Sequence, residues 1–246
     1  MTTKHYTSEQ FTAAATLEGG VHWLEADGDD VVVTVPQGTD WRLCGLRGSR
    51  DGSITVDGAG IGFAIRDGAG TGFAIRTGDG DGGAFRYGGG SGDAVRDGDG
   101  DGRAIRDDSG EGRAIRGGSG HGDALRDGSG SGDAIRGGFG HGDAVRDGSG
   151  DGDAIRRGDG SGDAVRRGDG DGYAIRDDSG NGEAIRRGGG TGYALRTGSG
   201  EGMRSGTELA VGMLSGTVTE AAKAAACLDS PHLSQGGLNK LLDGPY

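Results

Sequence analysis

The chain has 246 residues, a formal net charge of −12 and 61 glycines. Apolar residues other than glycine make up only 31% of the chain, which is too small a share of large side chains for a single large globular core. No run of 18 apolar residues occurs, so no membrane-spanning helix is predicted. The first residues lack a basic start and an apolar signal region, and we expect a soluble protein without a signal peptide, cytoplasmic or virion-associated.

Residues 1–50 lack the repeat and have the mixed composition of a globular domain, which predicts a small α/β N-terminal cap. Ser8 can cap a helix over 9–17, and β-rich runs follow at 21–26, 31–35 and 41–46. The segment 27–30 between the first two runs is typical of a hairpin turn. We expect Trp23 and Trp41 to fill this cap, with stacking on a ligand as the alternative.

A ten-residue phrase, x-Gly-x-Ala-φ-Arg-x-Gly-x-Gly with φ apolar, fills residues 61–200 in fourteen uninterrupted copies. Residues 51–60 are a degenerate earlier copy. Most of the φ residues are β-branched, which favours a strand, and glycine at three fixed places excludes a stable helix. The phrase therefore predicts an all-β, Gly-rich β-solenoid over 51–206, because repeats of this kind bury a core only by stacking.

Alternation along a strand places φ on one side and both Ala and Arg on the other. Burying an arginine without a partner is costly, so we expect the φ column inside and the arginine column outside. The outward column is the predicted binding surface. Its central members are Arg96, Arg106, Arg116, Arg126, Arg136, Arg146 and Arg156.

Ten residues are too few to enclose a core, so two repeats are expected to form each flat coil. Seven coils would then stack about 4.8 Å apart. His121 and His141, twenty residues apart, would be neighbours on adjacent coils; exposed turn residues and a shared metal are both open interpretations. Silk-like packing and disorder are the rival structures for such a composition.

The repeat is absent from residues 207–246, whose composition is again different and predicts a helical C-terminal cap or docking segment. Thr219 can cap a helix over 220–228, which is rich in alanine. Cys44 and Cys227 match neither a disulfide framework nor a zinc spacing, so each is expected to be a free buried thiol.

The segment Gly118-Ser119-Gly120-His121-Gly122-Asp123-Ala124-Leu125-Arg126 resembles the calcium-binding nonapeptide of RTX proteins, which form a β-roll. The resemblance covers the repeat block, although the period here is ten rather than nine. It implies calcium held between turns by turn carbonyls and by the Asp two places before φ. The matching positions are Asp123, Asp133, Asp143, Asp153 and Asp163; no other cofactor is expected.

The uniform repeats flanked by dissimilar ends favour a non-enzymatic role. We expect a rigid scaffold that presents Arg and Asp ladders to a protein partner or to itself, with homo-oligomers formed through the terminal caps. One alternative is an acidic decoy that mimics nucleic acid and inhibits a host DNA-binding protein; another is a calcium-dependent β-roll module. Binding to nucleic acid itself is not expected from an acidic chain, and the composition is typical of a bacterial or phage protein.

Overall fold

Each repeat forms one short strand followed by a glycine-rich turn, and the strands stack into a parallel β-solenoid. The structure is a computed structural model that describes residues 2–39, 42–177, 179–198, 201–202 and 204–205. The elements before the repeats are β1 Thr3–Thr7, α1 Ser8–Ala14, β2 Thr16–Glu18, β3 Val21–Glu25, β4 Asp30–Thr34, β5 Arg42–Arg47 and β6 Ile54–Asp57.

The repeats contribute β7 to β20, whose common content is Ala-φ-Arg. Their bounds are β7 Gly62–Asp67, β8 Ala74–Arg76, β9 Ala84–Arg86, β10 Ala94–Arg96, β11 Ala104–Asp107, β12 Ala114–Arg116, β13 Ala124–Asp127, β14 Ala134–Arg136, β15 Ala144–Arg146, β16 Ala154–Arg157, β17 Ala164–Arg167, β18 Ala174–Asp177, β19 Ala184–Arg187 and β20 Ala194–Thr197. A last strand, β21, covers Arg204–Ser205.

Every repeat strand pairs with the strand twenty residues away, as in Ala94 with Ala114 and Val95 with Ile115. Strands from alternate repeats therefore belong to two different parallel sheets. One sheet runs β1-β4-β6-β8-β10-β12-β14-β16-β18-β20, and the other runs β2-β3-β5-β7-β9-β11-β13-β15-β17-β19-β21. The prediction of two repeats per coil is confirmed.

The N-terminal strands are the first rungs of the same two sheets. The hairpin predicted around residues 27–30 is wrong, because β3 and β4 belong to different sheets and this segment is a corner of the solenoid. The predicted helix also shifts. Thr7, not Ser8, is the N-cap, and it exchanges hydrogen bonds of 2.9 and 3.2 Å with Gln10 in a capping box. The helix ends at Ala14 because the chain then pairs with β3 as strand β2.

The orientation of the repeat strands is the reverse of the one predicted. The alanine of every repeat from Ala64 to Ala184 has no exposed surface, and the fourteen repeat arginines are buried. The φ side chains are mostly half-exposed instead. The seven arginines proposed as a surface ladder, Arg96 to Arg156, are all 0% exposed, so that binding surface does not exist.

Backbone carbonyls, not carboxylates, compensate these buried arginines. Arg126 shows the pattern: its Nε donates to the Gly112 carbonyl at 3.0 Å, and one terminal nitrogen donates to the Gly110 carbonyl at 2.8 Å. The other terminal nitrogen donates to the Asp108 carbonyl at 3.2 Å and to the Asp127 carbonyl. Guanidinium carries only donors, so a turn that points several carbonyls inward satisfies it. The outward orientation predicted from the sequence is wrong because carbonyl oxygens, and not only carboxylates, can compensate a buried arginine.

Several guanidinium groups join two stacked turns by donating to both of them. Arg96 donates to the Gly80 carbonyl of the turn one coil earlier at 3.0 Å, and to the Gly100 carbonyl of its own turn at 2.7 Å. Burial lowers the pKa of several of these arginines to about 10, including Arg76, Arg116 and Arg136, and neighbouring arginines add to the effect. A pKa of about 10 still leaves the side chains charged at neutral pH.

Asp replaces a turn glycine in two repeats, at positions 108 and 178, and the structure describes Asp108. Its φ is 115°, the one positive value among the described residues other than glycine. The Asp108 carboxylate accepts from Arg106 at 2.9 Å and from the Gly110 N–H at 2.8 Å. This is the one ion pair that the structure shows for the buried arginines within the described ranges.

Of the predictions for the cysteines, the tryptophans and the C-terminal helices, only some concern residues that the structure describes. Cys44 is buried, with 2% of its surface exposed, as predicted. Cys227, Trp41 and the helices predicted within residues 207–246 lie outside the described residues.

Candidate functional site

The surface of the solenoid is formed by three rows of side chains on each sheet. Numbering each repeat 1–10 from its first x, positions 3, 5 and 7 point outward and positions 4 and 6 point inward. We call the outer side of the ten-stranded sheet face A and that of the eleven-stranded sheet face B. Position 5 supplies a central row of half-exposed aliphatic and aromatic side chains on each face, and positions 3 and 7 supply the flanking rows.

Burial of the arginines makes the solenoid surface far more acidic than its composition indicates. Residues 61–200 contain 24 carboxylates and 19 arginines, but fourteen of those arginines are inside. The five exposed arginines are Arg103, Arg113, Arg157, Arg167 and Arg187. Among the described residues of 61–198, 23 carboxylates, none of them buried, therefore stand against five exposed arginines, not the near balance that the sequence count gives.

The five aspartates predicted to hold calcium are divided between the two faces. Asp123, Asp143 and Asp163 lie on face B, whereas Asp133 and Asp153 lie on face A. Each uses Oδ1 to accept the backbone N–H of the residue twenty positions later, as Asp143 does from Asp163 at 2.9 Å and Asp133 does from Asp153 at 3.0 Å. They therefore tie one coil to the next along position 3.

Asp143→Asn is expected to raise the melting midpoint at pH 7 by about 1–2 °C. Burial raises the pKa of the Asp143 carboxyl, and Asp163 and Asp123 add repulsion. Because the pKa is raised in the folded state, ionisation of Asp143 lowers the stability of the fold. This loss of stability is present at pH values above the folded pKa and disappears as the carboxyl becomes protonated at lower pH. Asparagine keeps the acceptor oxygen without the charge. Thermal melts at pH 7 and near pH 3 measure the difference, which should vanish at the lower pH.

Asp171→Asn is the control of opposite sign. Hydrogen bonds from the Thr191 side chain and backbone lower the pKa of Asp171, so its ionised form is favoured and neutralisation should not stabilise the fold at pH 7. Equal stabilisation by both substitutions would show that general relief of negative charge, and not the burial of Asp143, is responsible.

The two repeat histidines are neighbours on adjacent coils, as predicted. Their rings are stacked with centroids 5.0 Å apart and planes 4° apart. Nδ1 of His121 accepts the His141 N–H at 3.2 Å, and Nδ1 of His141 accepts the Ser161 N–H at 3.1 Å. They tie coils together at position 1 as aspartates do elsewhere. Among the described residues, no group of three or more His, Cys, Asp or Glu is placed to hold a metal ion.

Removal of calcium is expected to leave the fold unchanged. In the RTX resemblance, turn carbonyls bind the metal, but here the inward carbonyls of Gly110 and Gly112 accept from Arg126. Far-ultraviolet circular dichroism and thermal melts with EDTA, and then with excess calcium, provide the measurement. A rise in melting midpoint of several degrees with calcium would show linked binding and contradict this expectation.

A groove of about 230 Å³ lies on face B between the position 5 and position 7 rows. Its lining combines aliphatic side chains with carboxylates and one edge of a core arginine: Ile105, Leu125, Val145, Asp107, Asp127, Asp147 and Arg126. The three carboxylates follow one another on successive coils of the same sheet. Sequence reasoning missed this site because it placed the aliphatic column inside.

Comparison with known proteins gives no match to any family model, curated protein or solved structure. Within the described part of the chain, no helix has the length and apolar character needed to cross a membrane.

Proposed function

We propose that the protein is a non-enzymatic scaffold whose stacked coils hold outward side chains at fixed spacing for a protein partner. One observation carries this proposal: the buried positions are identical in all fourteen repeats, whereas positions 3 and 7 vary from repeat to repeat. Ala, Arg and Gly build the same coil each time. The residues that differ between repeats are therefore the outward ones, which a partner would contact.

Hydrogen bonding between coils supports a rigid display. Strand pairing, arginines that bridge successive turns and side-chain ladders along positions 1 and 3 all connect each coil to the next. Distances between displayed groups are then set by the coil spacing of about 4.8 Å. A scaffold of this kind needs no closed active site.

Affinity purification of the full chain from the cells that produce it tests the proposal. The comparison variant changes repeats 101–170 in two ways. The aspartates at position 3 become Asn, which keeps the acceptor oxygen that ties the coils, and the outward residues at position 7 become Thr or Gly, both of which occur there in other repeats. Wild type should retain a defined protein that the variant loses while circular dichroism stays unchanged. Retention of the same protein by both chains, or of none by either, would overturn the proposal.

A second candidate, the acidic decoy, gains support from the burial of the arginines. A column of arginines on the surface would argue against mimicry of nucleic acid, but the arginine column is buried. In this case the partner is a DNA-binding protein, and binding should fall steeply with salt and compete with duplex DNA. Binding that is insensitive to both would exclude the decoy while leaving the scaffold intact.

A further inference from the structure

Face B carries a short zone in which an aliphatic row is flanked by carboxylates on both sides. The row is Ile105, Leu125 and Val145, all half-exposed. Asp107, Asp127 and Asp147 flank it at position 7, and Asp123 and Asp143 flank it at position 3. We call these eight residues the acidic-apolar strip.

Within the described residues, the position 7 carboxylates of this strip make no hydrogen bond to another coil, unlike Asp177, which accepts from Thr197. Asp127 and Asp147 accept only from the N–H of the next residue in the chain, at 2.6 and 2.8 Å. Like charges opposite one another on paired strands are destabilising, and Asp107 is directly paired with Asp127. Other repeats place Gly, Thr or Arg at position 7, so the fold does not require this stack.

Face A at the same level provides a natural comparison. There Ile115, Ile135 and Ile155 form the aliphatic row, but position 7 holds Gly117, Gly137 and then Arg157. One repeat of face A also has carboxylates on both flanks, with Asp93 and Asp97 beside Val95, but the double flank on two successive coils is restricted to face B. It is also bounded by arginine, since Arg103 contacts Asp123 at 3.2 Å and Arg167 follows Asp147 on the next coil of face B.

We propose that the acidic-apolar strip binds a cationic amphipathic helix of a partner protein, with its apolar side on the aliphatic row and Lys or Arg on both flanks. Only a helix with both features matches the whole strip. A cation without an apolar side would make no contact with Leu125, and an apolar helix without cations would make no ion pair with the aspartates. This inference rests on the proposed scaffold function and names the class of partner.

Dimensions agree with this occupant. Positions 3 and 7 are four residues apart on an extended strand, or about 13 Å, and a helix with side chains is about 10–12 Å wide. From Ile105 to Val145 the aliphatic row rises by two coils, or about 10 Å, which matches about two turns of helix.

Two other occupants have the wrong charge. A second copy of face B would oppose carboxylates to carboxylates. The chain's own residues 206–246 contain two lysines against four acidic residues, so they do not supply a cationic flank either.

The test measures binding of a synthetic Leu/Lys peptide to the full-length protein. The peptide has about 14 residues, near the length at which isolated helices become marginal, with Leu at i, i+3, i+4 and i+7. Fluorescence anisotropy gives the affinity, and circular dichroism reports helix formation on binding. A Leu/Glu peptide of the same pattern and a Lys-rich peptide without the apolar stripe are the controls.

Matched variants decide where the peptide binds. Asp127→Asn with Asp147→Asn should weaken binding about tenfold, whereas Asp133→Asn with Asp153→Asn on face A removes equal charge and should change it little. Leu125→Ser should weaken binding, and Ile135→Ser should not. Asparagine keeps the acceptor oxygens, and Leu125 and Ile135 are only half-buried. The fold is therefore expected to persist in all four variants.

Equal weakening by both asparagine pairs, or equal binding of the Lys-rich control, would show attraction to general acidity and overturn the inference. Failure of the peptide to bind at all would overturn it too. The scaffold proposal would survive either result if the partner purified from cells still depended on positions 3 and 7.

Discussion

Replacing Arg156 with Leu is expected to lower the free energy of unfolding by about 3–5 kcal/mol. Arg156 is 0% exposed. It donates to the Gly142 and Gly140 carbonyls at 3.1 Å, and to the Gly160 carbonyl at 2.5 Å. Leucine leaves these inward carbonyls without donors, and an unsatisfied buried group costs about 1–3 kcal/mol.

The neighbouring residue supplies the matched control. Arg157 is exposed, so Arg157→Leu removes the same charge one position away and should change stability by about 0.5 kcal/mol at most. Urea unfolding followed by circular dichroism measures both variants. Equal loss in the two would mean that net charge, rather than the interior hydrogen bonds, holds the coils.

Lysine at the same position separates charge from geometry. Arg156→Lys keeps a positive group inside but replaces a fork of five donors with a compact ammonium. It cannot reach the two stacked turns together, so it should be destabilising by about 2 kcal/mol or more. Wild-type stability in the lysine variant would show that any buried cation suffices.

The second large effect is expected for Gly142→Ala, with a loss of about 2–6 kcal/mol. The φ of Gly142 is +147°, a conformation that side chains rarely adopt. A Cβ there would collide with the Gly122 carbonyl, whose carbon would be 2.7 Å away. Both the conformation and the close stacking of turns therefore require glycine.

Gly137→Ala is the control, five residues earlier in the chain. A Cβ at Gly137 meets nothing within 4 Å, and the residue is not among those with positive φ. Alanine should be neutral, or stabilising by up to about 1 kcal/mol because it restricts the unfolded chain. Thermal melts of both variants measure the contrast. A Gly142 variant as stable as the Gly137 variant would contradict the close stacking of the turns.

The period of the repeat was sufficient to predict the coil, its two-repeat size and the parallel stacking. These follow from the invariant spacing and from the need of each short strand for a neighbour. Which side of the strand is buried could not be predicted by weighing side chains alone. The acceptors for Arg126 are carbonyl oxygens of Gly110 and Gly112, and no pattern of residue types displays a carbonyl direction.

A signal for the correct orientation was nevertheless present in the repeats. Position 4 is always Ala and position 6 always Arg, whereas position 5 ranges from Val95 to Phe85. A close-packed interior tolerates changes of volume poorly, so the unvarying pair is the better candidate for the inside. The groove on face B becomes visible only after this reversal, because its aliphatic lining then lies on the surface.

The arginine interior also clarifies the likeness to RTX proteins. In that resemblance a metal ion between turns would meet the inward carbonyls. Here a covalently attached cation, such as the Arg96 guanidinium between the carbonyls of Gly80 and Gly100, lies between them. Folding of this chain would then depend on no external ion, which agrees with the unchanged melting expected with EDTA.

The same ten-residue unit forms the strands of both sheets, in alternation along the chain, so insertions and deletions of repeats in the gene have two different effects. Gain or loss of sixty nucleotides adds or removes a whole coil, because strands pair at an interval of twenty residues. Gain or loss of thirty preserves every Ala, Arg and Gly in its buried place but moves all later repeats to the opposite sheet. Recombination between repeats can therefore transfer a displayed patch from one side of the molecule to the other without altering its interior.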